Sequence, residues 1–327
     1  MADNKRSIKL FREFGIVVAL VLMFAVFTAI DPSYIGINNI IDIIKQSTIN
    51  GLLALGIMFA ILTGGIDLSV GSTFAIVIVC TGKLLVAGMN PKLAILVGIG
   101  IGFCLGITNG LLITKLKLQP FVATLGAMSV YRGIAYVITG GWPVLKIPRE
   151  FRHMVDGNVF SVVPISIFIL CGFAIICHII LKYTPFGTYV YALGGNEEAT
   201  RLSGVNVDRN KILAYGITGI GAALAGLVLL ARLGTGEPTA GQGYELDAIA
   251  AVAIGGTSLA GGKGTVFGTF LGAILLSALK VGLIVTGVDT FWQYIATGAI
   301  IVVAVYFEYF QSNLYRKALV TKKRCFV

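Results

Sequence analysis
Repeated apolar runs, most of about 17–21 residues, decide the fold class of this chain before any motif is read. Each is long enough to cross a hydrocarbon layer as a helix, which takes about 20 residues. Ten are present, at about 14–30, 44–62, 70–86, 93–113, 120–138, 161–181, 212–231, 246–254 with a broken continuation, 265–285 and 291–307. In lipid only helices and closed barrels satisfy every backbone N–H and C=O, and the alternation of barrel strands is absent here. Charged residues make up 12% of the chain, against about 25% in soluble domains. The expectation is an all-α polytopic membrane protein of about ten transmembrane helices, one domain over residues 1–327. The third and eighth runs are the least well defined. The first run follows Lys5, Arg6, Lys9 and Arg12, as in a signal peptide. It lacks a small-residue cleavage site and more spans follow, so it reads as a retained anchor.

Net charge is +10, but placement matters more than size, and no nucleic-acid partner is expected. With the amino terminus inside, the inner segments hold sixteen of the 25 Lys and Arg residues and the outer loops five (Lys92, Lys146, Arg149, Arg152 and Arg232). That bias puts both termini in the cytoplasm of a bacterial cell membrane. The basic tail at 312–327 would then lie against anionic lipid. The longest outer loop, about 139–160, carries Trp142 and a charged patch on which a soluble partner could rest. Five cysteines, four of them in apolar runs, suggest neither a disulfide framework nor a metal site.

Glycine organises the spans. Gly98, Gly102, Gly106 and Gly110 recur every fourth residue, on one helix face, and Gly264, Gly268 and Gly272 repeat the pattern later. Such stripes let helices approach closely, within one chain or along a dimer seam. Two further clusters, Thr63–Gly71 and Gly255–Gly264, each interrupt apolar sequence. They suggest two pseudo-repeated halves with glycine-interrupted helices, here expected to be parallel. Such interruptions point to a substrate path, which makes Gly64, Gly65, Asp67 and Ser69 path or gating candidates. Asp67 and Ser69 can equally cap the next helix.

Ionisable groups inside spans are functional candidates by default. Asp42 and Lys45 can pair three residues apart, and Arg132 stands more isolated. Glu245 and Asp247 open the eighth span; Asp247 can cap it, leaving Glu245 free. Asn50, with Gln46 and Thr63, offers neutral donors and acceptors to sugar hydroxyls. No chain of deep acids suggests a proton or sodium relay. Gly262-Lys263-Gly264-Thr265 imitates the end of a phosphate loop. It lacks the leading glycine, where Thr257 stands, and the hydroxyl residue after the lysine, where Gly264 stands. No ATP site and no cofactor or metal site is read in this chain. His153 and His178 have no catalytic companions, so an enzyme is not expected.

One polar run stands apart: Asn196-Glu197-Glu198-Ala199-Thr200-Arg201-Leu202-Ser203-Gly204, within the segment 182–211 between two spans. The charge pattern puts it in the cytoplasm. Acids in its first turn suit the helix dipole and Gly204 can end it. A soluble partner docking there would supply energy from outside this chain. The alternative is a self-sufficient secondary transporter or facilitator for a small polar solute.

Three stretches carry a family resemblance: GGIDLSVG, YALGGNEEATRLSGVNV (Tyr191 to Val207) and ARLGTGEPTAGQGYELDAIAAVAIGGTSLAGGKG (Ala231 to Gly264). Together they resemble the permease subunits of bacterial ABC sugar importers, the group serving ribose, xylose, galactose and arabinose, with the ribose permeases nearest. The resemblance spans nearly the whole chain; only the tail from Tyr315 looks longer and more basic. It implies a non-catalytic subunit working by alternating access beside a second permease copy. An ATPase that uses ATP and Mg would bind the cytoplasmic face, and an extracytoplasmic binding protein would deliver a monosaccharide. Residues Asn196, Glu197, Glu198, Ala199, Arg201, Leu202 and Gly204 match the short helix that meets the ATPase. Leu202 and Val205 would offer apolar contacts and Arg201 a partner for acids.

Overall fold
The computed structural model describes residues 2–159, 163–289, 291–299, 302–303 and 306, with side chains from residue 15 onward. The basic tail at 312–327 and Cys325 lie outside the described residues. The helices run α1 (Ala2–Ile30), α2 (Ile37–Leu62), α3 (Val70–Val86), α4 (Pro91–Thr114), α5 (Pro120–Thr139), α6 (Arg149–Asp156), α7 (Ile165–Tyr183), α8 (Pro185–Gly195), α9 (Glu197–Leu202), α10 (Val207–Leu233), α11 (Tyr244–Ile254) and α12 (Val266–Val285). Residues 291–299 are helical as well. Six helices are long and apolar enough to cross a membrane: α2, α4, α5, α7, α10 and α12. Each of the ten expected spans has a helix at its place. α2 starts seven residues earlier than the apolar run, at Ile37 after Gly36, so Asp42 and Lys45 lie within it; the pairing expected of them is not among the ion pairs of the described residues.

Local sequence sets the helix limits. Pro91, Pro120 and Pro185 open α4, α5 and α8, where a missing N–H does no harm. Asn90, Thr184, Asn196, Asn206 and Thr265 accept backbone N–H groups in the first turns of α4, α8, α9, α10 and α12. Gly140 and Gly234 close α5 and α10 in the left-handed region.

α2 and α10 form the centre. Their most apolar windows are 83% and 72% buried, against 28% for α4, α5 and α7, which ring them. They cross antiparallel through glycine: Gly56 and Gly221 meet backbone to backbone, and the Thr218 hydroxyl donates to the Gly56 carbonyl at 3.0 Å. α4 lies along α10 as α12 lies along α2, α3 packs on α10 as α11 packs on α2, and the pairs α3–α4 and α11–α12 match. Two halves, α2–α4 and α10–α12, are thus built alike and run in opposite senses.

That corrects one detail of the sequence reading. The repeat is inverted rather than parallel, and the segment equivalent to 63–69 is 234–243, not 255–264. In both halves a long central helix is followed by a non-helical stretch and a shorter helix, α3 or α11. Their interruption explains why these two spans were weakly defined. The two glycine clusters do meet: Gly262 N–H donates to the Leu62 carbonyl at 3.0 Å and Gly261 lies against Gly64.

Both glycine stripes are interior seams of one chain. A Cβ at Gly98 would stand 2.6 Å from Thr81 Oγ1, one at Gly102 2.6 Å from Ala223 Cβ, and one at Gly110 2.6 Å from Ile212 Cα. One at Gly106 would run into the Tyr215 carbonyl. Gly268 and Gly272 face Gly255 and Ala251 at the end of α11, while Gly264 abuts Thr257.

Candidate functional site
At one end of the bundle α8 and α9 form a bent pair. Asn196, between them, accepts the Ala199 N–H at 2.9 Å, which starts α9. Eight residues later Gly204 takes φ +83°, with open space where a Cβ would be. Thr200 is buried, whereas Glu198, Ala199 and Leu202 face outward, Leu202 at 84% exposure. This end of the bundle therefore presents a large apolar side chain next to an exposed glutamate. On another face Glu197 accepts from Lys211 Nζ at 2.6 Å and from Arg201 at 3.3 Å. Burial raises the Glu197 carboxyl, but the hydrogen bond and charge of Lys211, then those of Arg201, outweigh it and leave the group below the usual range.

α8 connects this surface to the interior. Gly194 fits against the Leu62 carbonyl and Gly262, where a side chain has no room, and Tyr191 donates to the Gly264 carbonyl at 3.0 Å. The end of α2, the loop before α12 and the approach to α9 therefore share one glycine-lined joint. Gly64 and Gly65 belong to it: Gly64 faces Ala260 and Gly65 lies under the Tyr215 hydroxyl.

Beyond the joint, Asp67 and Ser69 enter a buried network at the start of α3. Asp67 Oδ1 accepts the Ser69 N–H at 2.9 Å and the Ser69 hydroxyl at 2.7 Å. Asn109 donates to Ser69 Oγ at 2.7 Å and to Asp67 Oδ2 at 3.3 Å, and Tyr131 donates to Asn109 Oδ1 at 3.0 Å. Neither acid nor hydroxyl makes the cap expected from sequence; Ser69 occupies that position without a side-chain bond into the helix. Instead they fasten the 63–69 segment to α4 and α5.

The 234–243 segment is fastened by the next residue of α5. Arg132 donates to the carbonyls of Pro238 and Ala240, both at 2.7 Å, and of Gly71 at 3.2 Å. Its apparent isolation in the sequence is thus an effect of distance along the chain. α11 likewise departs from expectation. Gly243, not Asp247, occupies its cap position; Glu245 accepts the Gly243 N–H at 3.2 Å, so it is not free. Asp247 instead pairs with Lys280 of α12 at 2.5 Å, both largely buried. Asn50 is buried, donating to Ser277 Oγ at 2.9 Å, and its carbonyl oxygen has no partner among the described residues.

Sequence reasoning missed Asn109 and Tyr131 altogether, although an asparagine on the face of the Gly98–Gly110 stripe was a usable signal. The pairing of Lys211 with Glu197, fourteen residues away, had no such signal.

A family model described as branched-chain amino acid transport system / permease component matches residues 39–305. The ribose import permease protein of Bacillus subtilis is 41% identical over 295 residues, covering 90% of this chain and 92% of that protein. The D-allose transport system permease protein of Escherichia coli is 37% identical over 295 residues, 90% of either chain. The galactose/methyl galactoside import permease protein of Salmonella typhimurium is 36% identical over 324 residues, 93% of this chain and 96% of that one. No solved structure matches.

Proposed function
This chain belongs to the transport-system permease-component family of that model, and from that premise we propose that it is the membrane-spanning subunit of an ATP-driven monosaccharide importer. The relatives named for ribose, allose and galactose support a pentose or hexose as cargo. Two copies form the pathway. A separate ATPase uses ATP and Mg at the α9 face, and an extracytoplasmic binding protein delivers sugar to the opposite end. Both termini lie on the cytoplasmic side, and the basic tail rests on anionic lipid. This chain has no catalytic role.

The observation that carries this reading is the mounting of α9. Its outward face is Glu198 and Leu202. Its inward end joins, through Gly194, the end of α2 and the loop before α12. Displacement at α9 therefore reaches segments of both halves at one joint. Arg132 on α5 holds segment 234–243, and Tyr131 beside it reaches segment 63–69 through Asn109. Movement of the joint against α5 opens one side of the pathway as it closes the other, which is alternating access in an inverted repeat.

The test is reconstitution in liposomes with the ATPase and ribose-loaded binding protein. Uptake should require ATP inside and binding protein outside. Accumulation by this chain alone, driven by a proton or sodium gradient, would show a secondary transporter instead.

A further inference from the structure
α9 is a six-residue helix with a glycine on either side. Gly195 precedes it and Gly204 follows it at φ +83°, and neither has an atom within 4 Å of where a Cβ would be. A load applied at Leu202 to so short a helix, with little packed around either flanking glycine, would rotate it rather than move the bundle. Something has to hold the helix against rotation.

The structure holds it with charges on a second face. Glu197 meets Lys211 of α10 at 2.6 Å, and Arg201 spans Glu197 at 3.3 Å and Asp208 of α10 at 3.9 Å. Asp208 in turn meets Lys115, just past the end of α4, at 3.3 Å. Exposed ion pairs taken singly contribute little. Here five charges link three elements, and the central one, the Lys211 side chain, is only 16% exposed. Lys211 is also well placed to transmit force: it sits one turn inside α10, which is locked to α4 along the Gly102–Gly219 seam and to α2 at Gly56–Gly221. Whatever moves Lys211 moves that assembly as a body.

We propose that the Glu197–Lys211 pair, braced by Arg201, Asp208 and Lys115, is the strut that converts displacement of α9 into displacement of α10 and α4. Lys211 and Asp208 are positioning residues for coupling, acting through α9. The proposal rests on reading α9 as the ATPase contact.

The complete complex is assayed as the ratio of ATP hydrolysis with ribose-loaded binding protein to hydrolysis without it. Lys211→Glu and Glu197→Lys should each lower that ratio about 5-fold or more, the lower end of typical coupling between sites. The reciprocal double variant should return it to within about 2-fold of wild type, because a restored pair restores the link. Lys211→Met guards against misfolding: the ATPase should still co-purify while the ratio falls. A wild-type ratio in Lys211→Met, or a double variant no better than the singles, refutes the strut. If the wild-type complex itself is not stimulated by loaded binding protein, the importer reading fails and the strut fails with it.

Discussion

Lys280→Met tests most sharply how the second half is held together. Lys280 Nζ and Asp247 Oδ2 lie 2.5 Å apart, with side-chain exposures of 16% and 7%, between α12 and the first turn of α11. Removing the ammonium leaves a carboxylate inside the membrane with no other partner among the described contacts. Breaking one side of a buried pair typically destabilises by about 3–5 kcal/mol. At about 2–3 °C per kcal/mol for a chain of this size, the midpoint of thermal unfolding should fall by roughly 6–15 °C. Asp247→Leu combined with Lys280→Met removes both charges and should recover most of that loss, since an apolar pair of similar volume is often as stable as the ion pair it replaces. The assay is the loss of monodisperse protein on heating in detergent or lipid nanodiscs, for wild type, both singles and the double. Two results would refute the reasoning. Lys280→Met could melt within a degree of wild type, which would mean that Asp247 has another partner. The double could be worse than either single, which would mean that the pair acts through packing rather than charge.

Three other outcomes follow from the geometry. Gly106→Val drives a side chain into the Tyr215 carbonyl across the α4–α10 seam, whereas Gly100→Val on the same helix meets nothing within 4 Å; the first should destabilise by about 1–3 kcal/mol and the second hardly at all, as read by thermal melting. Arg132→Met strips three carbonyls of their donor, so hydrogen exchange should rise in residues 234–243, and Arg132→Lys should rescue only part, because one ammonium cannot reach three acceptors as a guanidinium does. The Glu197 carboxyl is held below its ordinary value of 4.5; a depressed carboxylate stabilises above its unfolded pKa and loses that contribution as pH falls through the folded one. Coupling through α9 should therefore be flat from neutral pH down to the ordinary carboxylate range and fail below it, and a loss already complete near pH 6 would contradict the Lys211 contact.

Span positions and membrane character were legible in the sequence because a span has to be apolar along its whole length, wherever its neighbours lie. The α9 helix was legible for a related reason: its cap, its acids and its closing glycine act within one or two turns, so local sequence specifies them. Asp67, Glu245, Asp247 and Arg132 were visible as polar groups out of place, yet their local readings as caps or isolated charges did not hold. Their partners are Asn109, Gly243, Lys280 and the carbonyls of Gly71, Pro238 and Ala240, and most of these are far away along the chain. Spacing along one helix cannot reveal a contact between two.

The repeat divides in the same way. Two glycine-interrupted halves were apparent from composition, but their relative sense depends on which face of α2 meets which face of α10. The antiparallel crossing at Gly56 and Gly221 settles that sense, and it places the 234–243 segment opposite the 63–69 segment. The sequence alone determined that this chain is a bundle of membrane helices with one exposed polar helix, because hydrophobic length and local capping are properties of the chain itself. Only the tertiary structure decided how that helix is tied to the interrupted helices, because buried polar groups in lipid take their partners from whichever helices packing brings beside them.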